Sequence, residues 1–576
     1  MKESNLIISV PANCKYCYKC LRNCPVKAIA FNGQHSFVVE EECIACGTCI
    51  NVCPQHAKTY RKNLKEFEEL VGKPFVLSVA PSFFANYDDP AKVISLVRRL
   101  GCVAVSETAI GAEFVGLEYL KYLNAGKKVL LTTSCPVVVN LVEQYFPKHI
   151  DYLIPVVSPA IAHAKFLEYR FGELPRVFVS PCVAKKEELK GYYDVVLTFE
   201  ELDEFLAQYP KEEEEEEEDN DTCAPGTSYE NGTPKQSHRF FPDPPYPNRA
   251  RYFPASGGII HTLEQDLFTH MIIEGINNLI DFLSNLETST KEIQGTVLVE
   301  ASACVGGCLN GPTIRKERNL LGRKEAIRKW NRILGELNQD GTRTVNPAYY
   351  KLALSRTFTD RSATKQVPDV EITRILQEMG KVHPAKELNC TACGYETCRD
   401  KARAVALGKA EKDMCFAYLV EKVSSFGNKV VDETPNAIVI FSNEKVIYLN
   451  PAAKRLFGSY DETTVLNICK RVSNEPYRIH ELFLNGRKYY FYPKYFDLPE
   501  DGGSVLLFVD VTDIVVQREQ MDELKRKTVE KIEEVLNNQM KLAQDIASLL
   551  GESIAETKAH FMEFKKYMIG DENANV

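Results

Sequence analysis

Two stretches of the chain repeat one cysteine spacing, CKYCYKCLRNCP at residues 14–25 and CIACGTCINVCP at residues 43–54. Each reads C-x2-C-x2-C-x3-C-P, the spacing that wraps a 4Fe–4S cube in thiolates. Nothing else in the sequence restricts the backbone so tightly, because closely spaced sulfurs must all turn inward. In a two-cluster arrangement the fourth cysteine of each run crosses to the other cube. One set is then Cys14, Cys17, Cys20 and Cys53, and the other is Cys43, Cys46, Cys49 and Cys24. Zinc motifs pair their cysteines differently. Gly47 lets the second loop pass close to the metal.

The 576 residues include 19 cysteines, and only Cys102, Cys223 and Cys469 stand outside recognisable groups. Cys102 and Cys469 read as small buried side chains, and Cys223 as an exposed thiol in a polar insert. A net charge of −9 argues against a nucleic-acid partner. No run approaches the roughly 18 apolar residues that cross a bilayer, and the apolar stretch near the N-terminus is too short for a secretory signal. The expected compartment is the cytoplasm, where thiols stay reduced. There, so many cysteines point to metal and not to cross-links.

Between residues 75 and 335 the pattern changes. FVLSVAP, KVLLTTSCP, RVFVSPCVA and GTVLVEASAC read as short buried strands that end in loops. Such apolar runs between helical stretches predict an α/β core with parallel strands, whose sites gather at the strands' carboxyl ends. Three of these loops deliver Cys135, Cys182 and the pair Cys304 and Cys308, enough thiolates for a third cubane. Gly306-Gly307 lets the last loop hug the metal.

TTSCP, SPCVAKKEE and EASACVGGC resemble the three loop signatures of iron-only (FeFe) hydrogenases. The resemblance covers about residues 1–335, including an N-terminal module similar to a bacterial ferredoxin. It implies an H-cluster, a cubane joined through Cys308 to a diiron subcluster with carbon monoxide, cyanide and a bridging dithiolate. It also implies that Lys185 hydrogen-bonds a cyanide, that Glu188 pairs with Lys185, and that Ser82, Pro181 and Phe253 line the pocket. An ammonium suits an anionic ligand because it donates charge-assisted hydrogen bonds. The departures are equally informative. Ser134 stands where catalytic members carry a proton-relaying cysteine, and a hydroxyl is a far weaker acid than a thiol of pKa about 8.5. Ser180 and Ser302 replace two pocket methionines, and Tyr119 and Tyr122 stand where acidic residues line the proton path. This combination resembles the sensory branch of the family.

Further on, Cys390, Cys393, Cys398 and Cys415 resemble a small iron–sulfur domain of electron-transfer and corrinoid-linked proteins. They imply a fourth 4Fe–4S cluster, with zinc as the alternative. TPNAIVIFSNEKVIYLNPAAKRLFG reads as two strands around the turn Ser442-Asn443-Glu444-Lys445, then a helix capped by Asn450 with Pro451 first. With the later strands KYYFYPKYF and SVLLFVDVTD it resembles a PAS domain. Met521, Leu524, Ile532, Val535, Leu542, Ile546 and Leu549 recur at helical spacing, as in a coiled coil between protomers or a helix against the PAS core.

The expected chain is multidomain, α/β and α+β. It holds a ferredoxin-like module at 1–62, an H-cluster domain at 73–370 with an acidic insert at 210–248, an Fe–S domain at 371–424, a PAS domain at 425–516 and a helix at 517–576. The expected function is a sensory FeFe hydrogenase of low turnover acting on dihydrogen and protons. It exchanges electrons with a carrier such as ferredoxin and signals as a homodimer to a separate kinase or phosphatase, with no membrane or nucleic acid. The alternatives are a catalytic hydrogenase and a non-catalytic Fe–S protein without the diiron unit.

Overall fold

The computed structural model describes residues 5–123, 129–208, 240–263, 268–289, 293, 295–339, 341–362, 366–442, 444–498, 503–547 and 555–569. The acidic run of the insert, Cys223, Asn443 and Leu549 lie outside the described residues. The chain forms two compact units, Met1–Tyr418 and Leu419–Val576.

The first unit opens with a small cysteine-rich module. Its two ends pair as antiparallel strands, Ile7–Ser9 with Lys58–Tyr60, and the hairpin Ile29–Phe31 with Ser36–Val38 lies between them. The two cysteine runs each contain one short helix, Lys19–Asn23 and Thr48–Val52. The backbone repeats as the sequence does. Left-handed residues recur in pairs, Tyr16 with Ala45, Tyr18 with Gly47, and Lys27 with His56. Such residues turn successive amides toward one side and make a nest for an anionic group.

The α/β core contains two parallel sheets. One runs Cys102–Glu107, Phe75–Val79, Arg176–Ser180, Val195–Thr198; the other runs Thr269–Glu274, Val297–Ser302, Val129–Leu131. The inner strands Phe75–Val79, Arg176–Ser180 and Val297–Ser302 are apolar and buried, as parallel strands between helices are, whereas the edge strand Thr269–Glu274 is largely exposed. The expected strands are present, divided between two sheets. Arg251 and Glu107, both buried, pair at 2.6 Å and anchor the chain returning from the insert to the edge strand. Cys102 is buried, as expected.

In the second unit a five-stranded antiparallel sheet has the order Val446–Leu449, Ala437–Phe441, Gly503–Asp510, Arg487–Leu498, His480–Leu484. Asn450 caps the helix Pro451–Phe457 by accepting from the Ala453 amide at 2.8 Å. Cys469 is buried in the core of this domain with Phe457 and Phe508. The following helix, Thr512–Ala547, packs against a second one, Ala555–Ile569, and Lys565 pairs with Glu533. The expected single terminal helix is therefore two helices, and the second covers part of the first. Val529 is buried, whereas Met521, Leu524, Val535 and Leu542 stay exposed. Among the described residues no helix is long and apolar enough to cross a membrane.

Candidate metal centre

The central site is built where strands from both sheets end. Cys135 follows Val129–Leu131 and caps the helix Pro136–Tyr145. Cys182 follows Arg176–Ser180, and Cys304 and Cys308 follow Val297–Ser302. The four sulfurs face one another: Cys135 and Cys182 act electrostatically on Cys304, as does Cys308. Burial pushes the Cys182 thiol up to about 12 and the Cys308 thiol up to about 11. Such thiols become thiolates most readily when a metal takes the proton's place.

The cysteine loop of residues 304–308 is held from several sides. Gly306 and Gly307 both have positive φ, and a Cβ on Gly307 would lie 2.5 Å from the Pro254 carbonyl. Glu274 accepts from the Gly306 amide at 2.8 Å, and buried Arg323 donates to the Leu309 carbonyl at 3.1 Å. Pro181 accepts from the Thr313 amide at 3.2 Å, and a Cβ on Gly311 would strike the Pro181 carbonyl. Phe253, half-buried, precedes the Pro254 that meets this loop.

Lys185 reaches the same place from the helix Lys185–Glu188. Its ammonium donates to Glu188 at 2.5 Å, to the Ser158 hydroxyl at 3.1 Å and to the Ser134 carbonyl at 3.3 Å. Glu188 is buried and is also approached by Arg356 at 3.4 Å. Lys186 points elsewhere, to Glu201 at 2.8 Å, with both side chains fully buried. The Ser134 hydroxyl lies 3.3 Å from the Tyr119 hydroxyl, which also accepts from the Thr133 amide at 2.9 Å. Tyr122 is only half-buried. The Ser180 hydroxyl accepts from the Cys182 amide at 3.4 Å, and the Ser302 hydroxyl donates to the Cys304 carbonyl at 3.2 Å.

The Ser82 hydroxyl is fully buried at the end of Phe75–Val79 and has no hydrogen-bond partner. A lysine and four clustered thiols, three half-buried and Cys308 exposed, fit a cofactor with both metal and hydrogen-bonding ligands. Glu300 was not evident from the sequence. It is buried, accepts from the Gly257 and Ile260 amides at 2.8 and 3.0 Å, and burial raises it to about 7.

Among the N-terminal cysteines, Cys24 lies with Cys43, Cys46 and Cys49 of the second run, and Cys20 also acts on Cys49. Cys49 feels Cys46, Cys43 and Cys24, and Cys43 feels Cys46 and Cys24. Cys14 and Cys20 lie 3.8 and 3.5 Å from the Ser36 hydroxyl. Matching amides approach sulfur in both halves, Ala28 to Cys24 at 3.3 Å and Ala57 to Cys53 at 3.2 Å. Cys17 is exposed. Cys46 is coupled to Cys135 and Cys304, and a Cβ on Gly47 would lie 2.8 Å from Pro312. The second N-terminal group therefore abuts the central site.

Cys390, Cys393, Cys398 and Cys415 line one cavity with Lys401 and Phe416. Among the described residues, no three His, Cys, Asp or Glu side chains close to single-ion distance. Burial lowers Lys401 to about 8, against the raising effect of Cys393, Cys415 and Glu411. This domain docks on the N-terminal module: the Phe31 amide donates to the Lys409 carbonyl at 2.9 Å, and Lys409 pairs with Glu42.

Comparison with known proteins agrees with this geometry. Residues 73–312 match the family described as iron only hydrogenase large subunit, C-terminal domain. Residues 6–54 match a 4Fe-4S dicluster domain, 387–416 an Fe-S cluster family and 428–487 a PAS domain. The NADP-reducing hydrogenase subunit HndD of Solidesulfovibrio fructosivorans is 30% identical over 178 residues, 25% of this chain and 30% of the relative. The polyferredoxin-like subunit of an aliphatic sulfonate oxidoreductase from Pyrococcus furiosus is 41% identical over 51 residues, 8% of this chain and 30% of that protein. The chain thus spans under a third of the length of each of these relatives. The FeFe-hydrogenase HydA1 of Chlamydomonas reinhardtii aligns with 53% of this chain and 100% of its own, at 16% identity and a TM-score of 0.35. Along the chain, then, a segment similar to the iron-only hydrogenase C-terminal domain lies between matches to a 4Fe–4S dicluster domain and an Fe–S cluster family, and a PAS domain match follows.

Proposed function

We propose that the chain is a sensory hydrogenase. Cys135, Cys182, Cys304 and Cys308 would hold the cubane of an H-cluster, with Cys308 bridging to a diiron unit. That unit, when bound, supplies the reversible splitting of dihydrogen into two protons and two electrons. The observation that carries the reading is Lys185, whose ammonium is held by Glu188 and Ser158 against the Ser134 carbonyl, next to Cys135, and acts on both Cys182 and Cys308. Lys185 would hold an anionic ligand of the group.

Ser134 limits the rate in this account. A serine with a tyrosine behind it gives protons up reluctantly near neutral pH, which suits a detector better than a producer of hydrogen. Electrons would pass from the central cubane to the set Cys43, Cys46, Cys49 and Cys24, then to the set Cys14, Cys17, Cys20 and Cys53 and the C-terminal set. An electron carrier such as ferredoxin would exchange with the exposed edge at Cys17.

The helix Phe416–Glu433 begins directly after Cys415 and has no buried residue. Phe416, Leu419, Val423, Phe426 and Val430 are exposed on it at steps of three and four. A stripe of that period packs against a like helix, so this segment, with the helix Thr512–Ala547, would join two copies and carry the signal to a kinase or phosphatase. Film voltammetry of the matured protein under dihydrogen tests the reading. A small reversible current is expected. Currents of the size given by producing hydrogenases would favour the catalytic alternative, and none at all the non-catalytic one.

A further inference from the structure

Lys58 and Lys401 are buried near cysteine sulfur and form no ion pair with a carboxylate among the described residues, although Glu411 acts on Lys401 from a distance and Lys381 lines the same cavity. Lys58 is 2% exposed, and its ammonium donates to the Ser36 carbonyl at 2.6 Å and to the Ser36 hydroxyl at 2.8 Å. That hydroxyl is the one lying 3.5 Å from Cys20 Sγ and 3.8 Å from Cys14 Sγ. Lys401 is 1% exposed, donates to the Glu411 carbonyl at 2.5 Å and faces Cys393 and Cys415 across the C-terminal cavity. Neither forms an ion pair among the described residues. Lys186 and Lys185, by contrast, are paired with Glu201 and Glu188.

A buried ammonium without a counter-charge is unfavourable. It becomes favourable if its neighbour is a cubane with four thiolates, which is already anionic and gains another negative charge on one-electron reduction. Hydrogen bonds to sulfur and local charge set such potentials. The intervening set, Cys24, Cys43, Cys46 and Cys49, lacks a buried lysine. Glu40 acts on Cys43, and Lys27, which acts on Cys24, has its side chain at the surface.

We propose that Lys58 and Lys401 are positioning residues for electrons, each raising the reduction potential of the cluster beside it above that of the set between them. Electrons then rest on the two outer clusters and only pass through the middle one. The cluster held by Cys415 keeps its electron next to the helix that starts at Phe416, where a redox signal would be read. This rests on the cluster assignments proposed above, but not on the diiron unit.

The test uses the full chain reconstituted with iron and sulfide, without diiron maturation. Cluster potentials are followed by paramagnetic resonance during titration with dithionite. Lys58→Met should shift one midpoint to more negative potential, Lys58→Arg should restore it, and Lys401→Met should shift a different one. The lowest midpoint should stay in place throughout. Unmoved midpoints, or all midpoints moving together, would overturn the proposal. Where Lys58→Met loses its cluster, Ser36→Ala removes only the hydroxyl between ammonium and sulfur; the same midpoint must then fall, and an unmoved one overturns the proposal. A wild-type chain that takes up no cubanes contradicts the cluster assignment as well, whereas cubanes present with unmoved midpoints contradict this proposal alone.

Discussion

The N-terminal module and the central site each gather four-sulfur sets, by opposite means. In the module, cysteines two or three residues apart are turned inward by left-handed residues and short helices, and little else is needed. In the central site the sulfurs come from three loops on two sheets, clamped by Glu274, Arg323 and the close approach of Gly307 to Pro254. A local site tolerates changes in its surroundings and suits plain electron transfer. A site assembled from distant strands can place a lysine beside the metal, which chemistry on a small molecule requires.

The largest effect should come from breaking each kind of site in turn. Cys308→Ala should abolish the carbonyl and cyanide infrared bands of the matured protein, while Cys17→Ala should cost one cubane by iron analysis and leave those bands in place. Bands lost equally in both would mean the two sites are not independent.

Next in size is the pair of adjacent lysines. Lys186→Met leaves Glu201 buried without its partner and should destabilise the apo chain by about 3–5 kcal/mol in chemical denaturation. Its matured fraction should keep an unchanged infrared spectrum. Lys185→Met should change the spectrum or prevent maturation, because Glu188 still has Arg356 but the pocket loses its ammonium. An unchanged spectrum in Lys185→Met would remove that lysine from the site.

Glu300 gives the central loops a pH dependence of their own. Its carboxyl is raised to about 7 by burial, from an ordinary value of 4.5. The folded state therefore holds a proton that the unfolded state has released. Stability is full below the ordinary value, falls as pH climbs to about 7, and is level above it. The fall should amount to no more than ~3 kcal/mol, read as denaturation midpoints at acid and neutral pH. Glu300→Gln should flatten it; an undiminished slope would place the dependence elsewhere.

The smallest effect concerns turnover. Ser134→Cys supplies an acid of suitable pKa and should raise the voltammetric current by about tenfold, less than the roughly hundredfold or more that fully positioned proton transfer contributes. No gain would mean that protons leave by another path.

The module was legible in the sequence because its chemistry is local. Spacing alone paired Cys24 with the second run, and the same 29-residue repeat recurs in the backbone angles. Asn450 and Pro451 announced a helix start for the same reason. The loops of the central site were also readable, each following its strand. Their supports were not. Nothing in AKKEE tells which lysine faces the pocket, since the answer depends on Glu201 and Asn63 packing against Lys186. Lys58, Glu300 and Lys401 carry no motif, and their importance lies wholly in burial and in partners far along the chain. The terminal helix pattern was visible, but the fold-back that hides Val529 depends on contacts 30 or more residues apart, such as Lys565 with Glu533.

Anaerobic infrared spectroscopy of the protein after maturation tests the central claim most directly. Sharp carbonyl and cyanide bands that vanish in Cys308→Ala are the predicted result. A protein replete with cubanes that shows no such bands would contradict it.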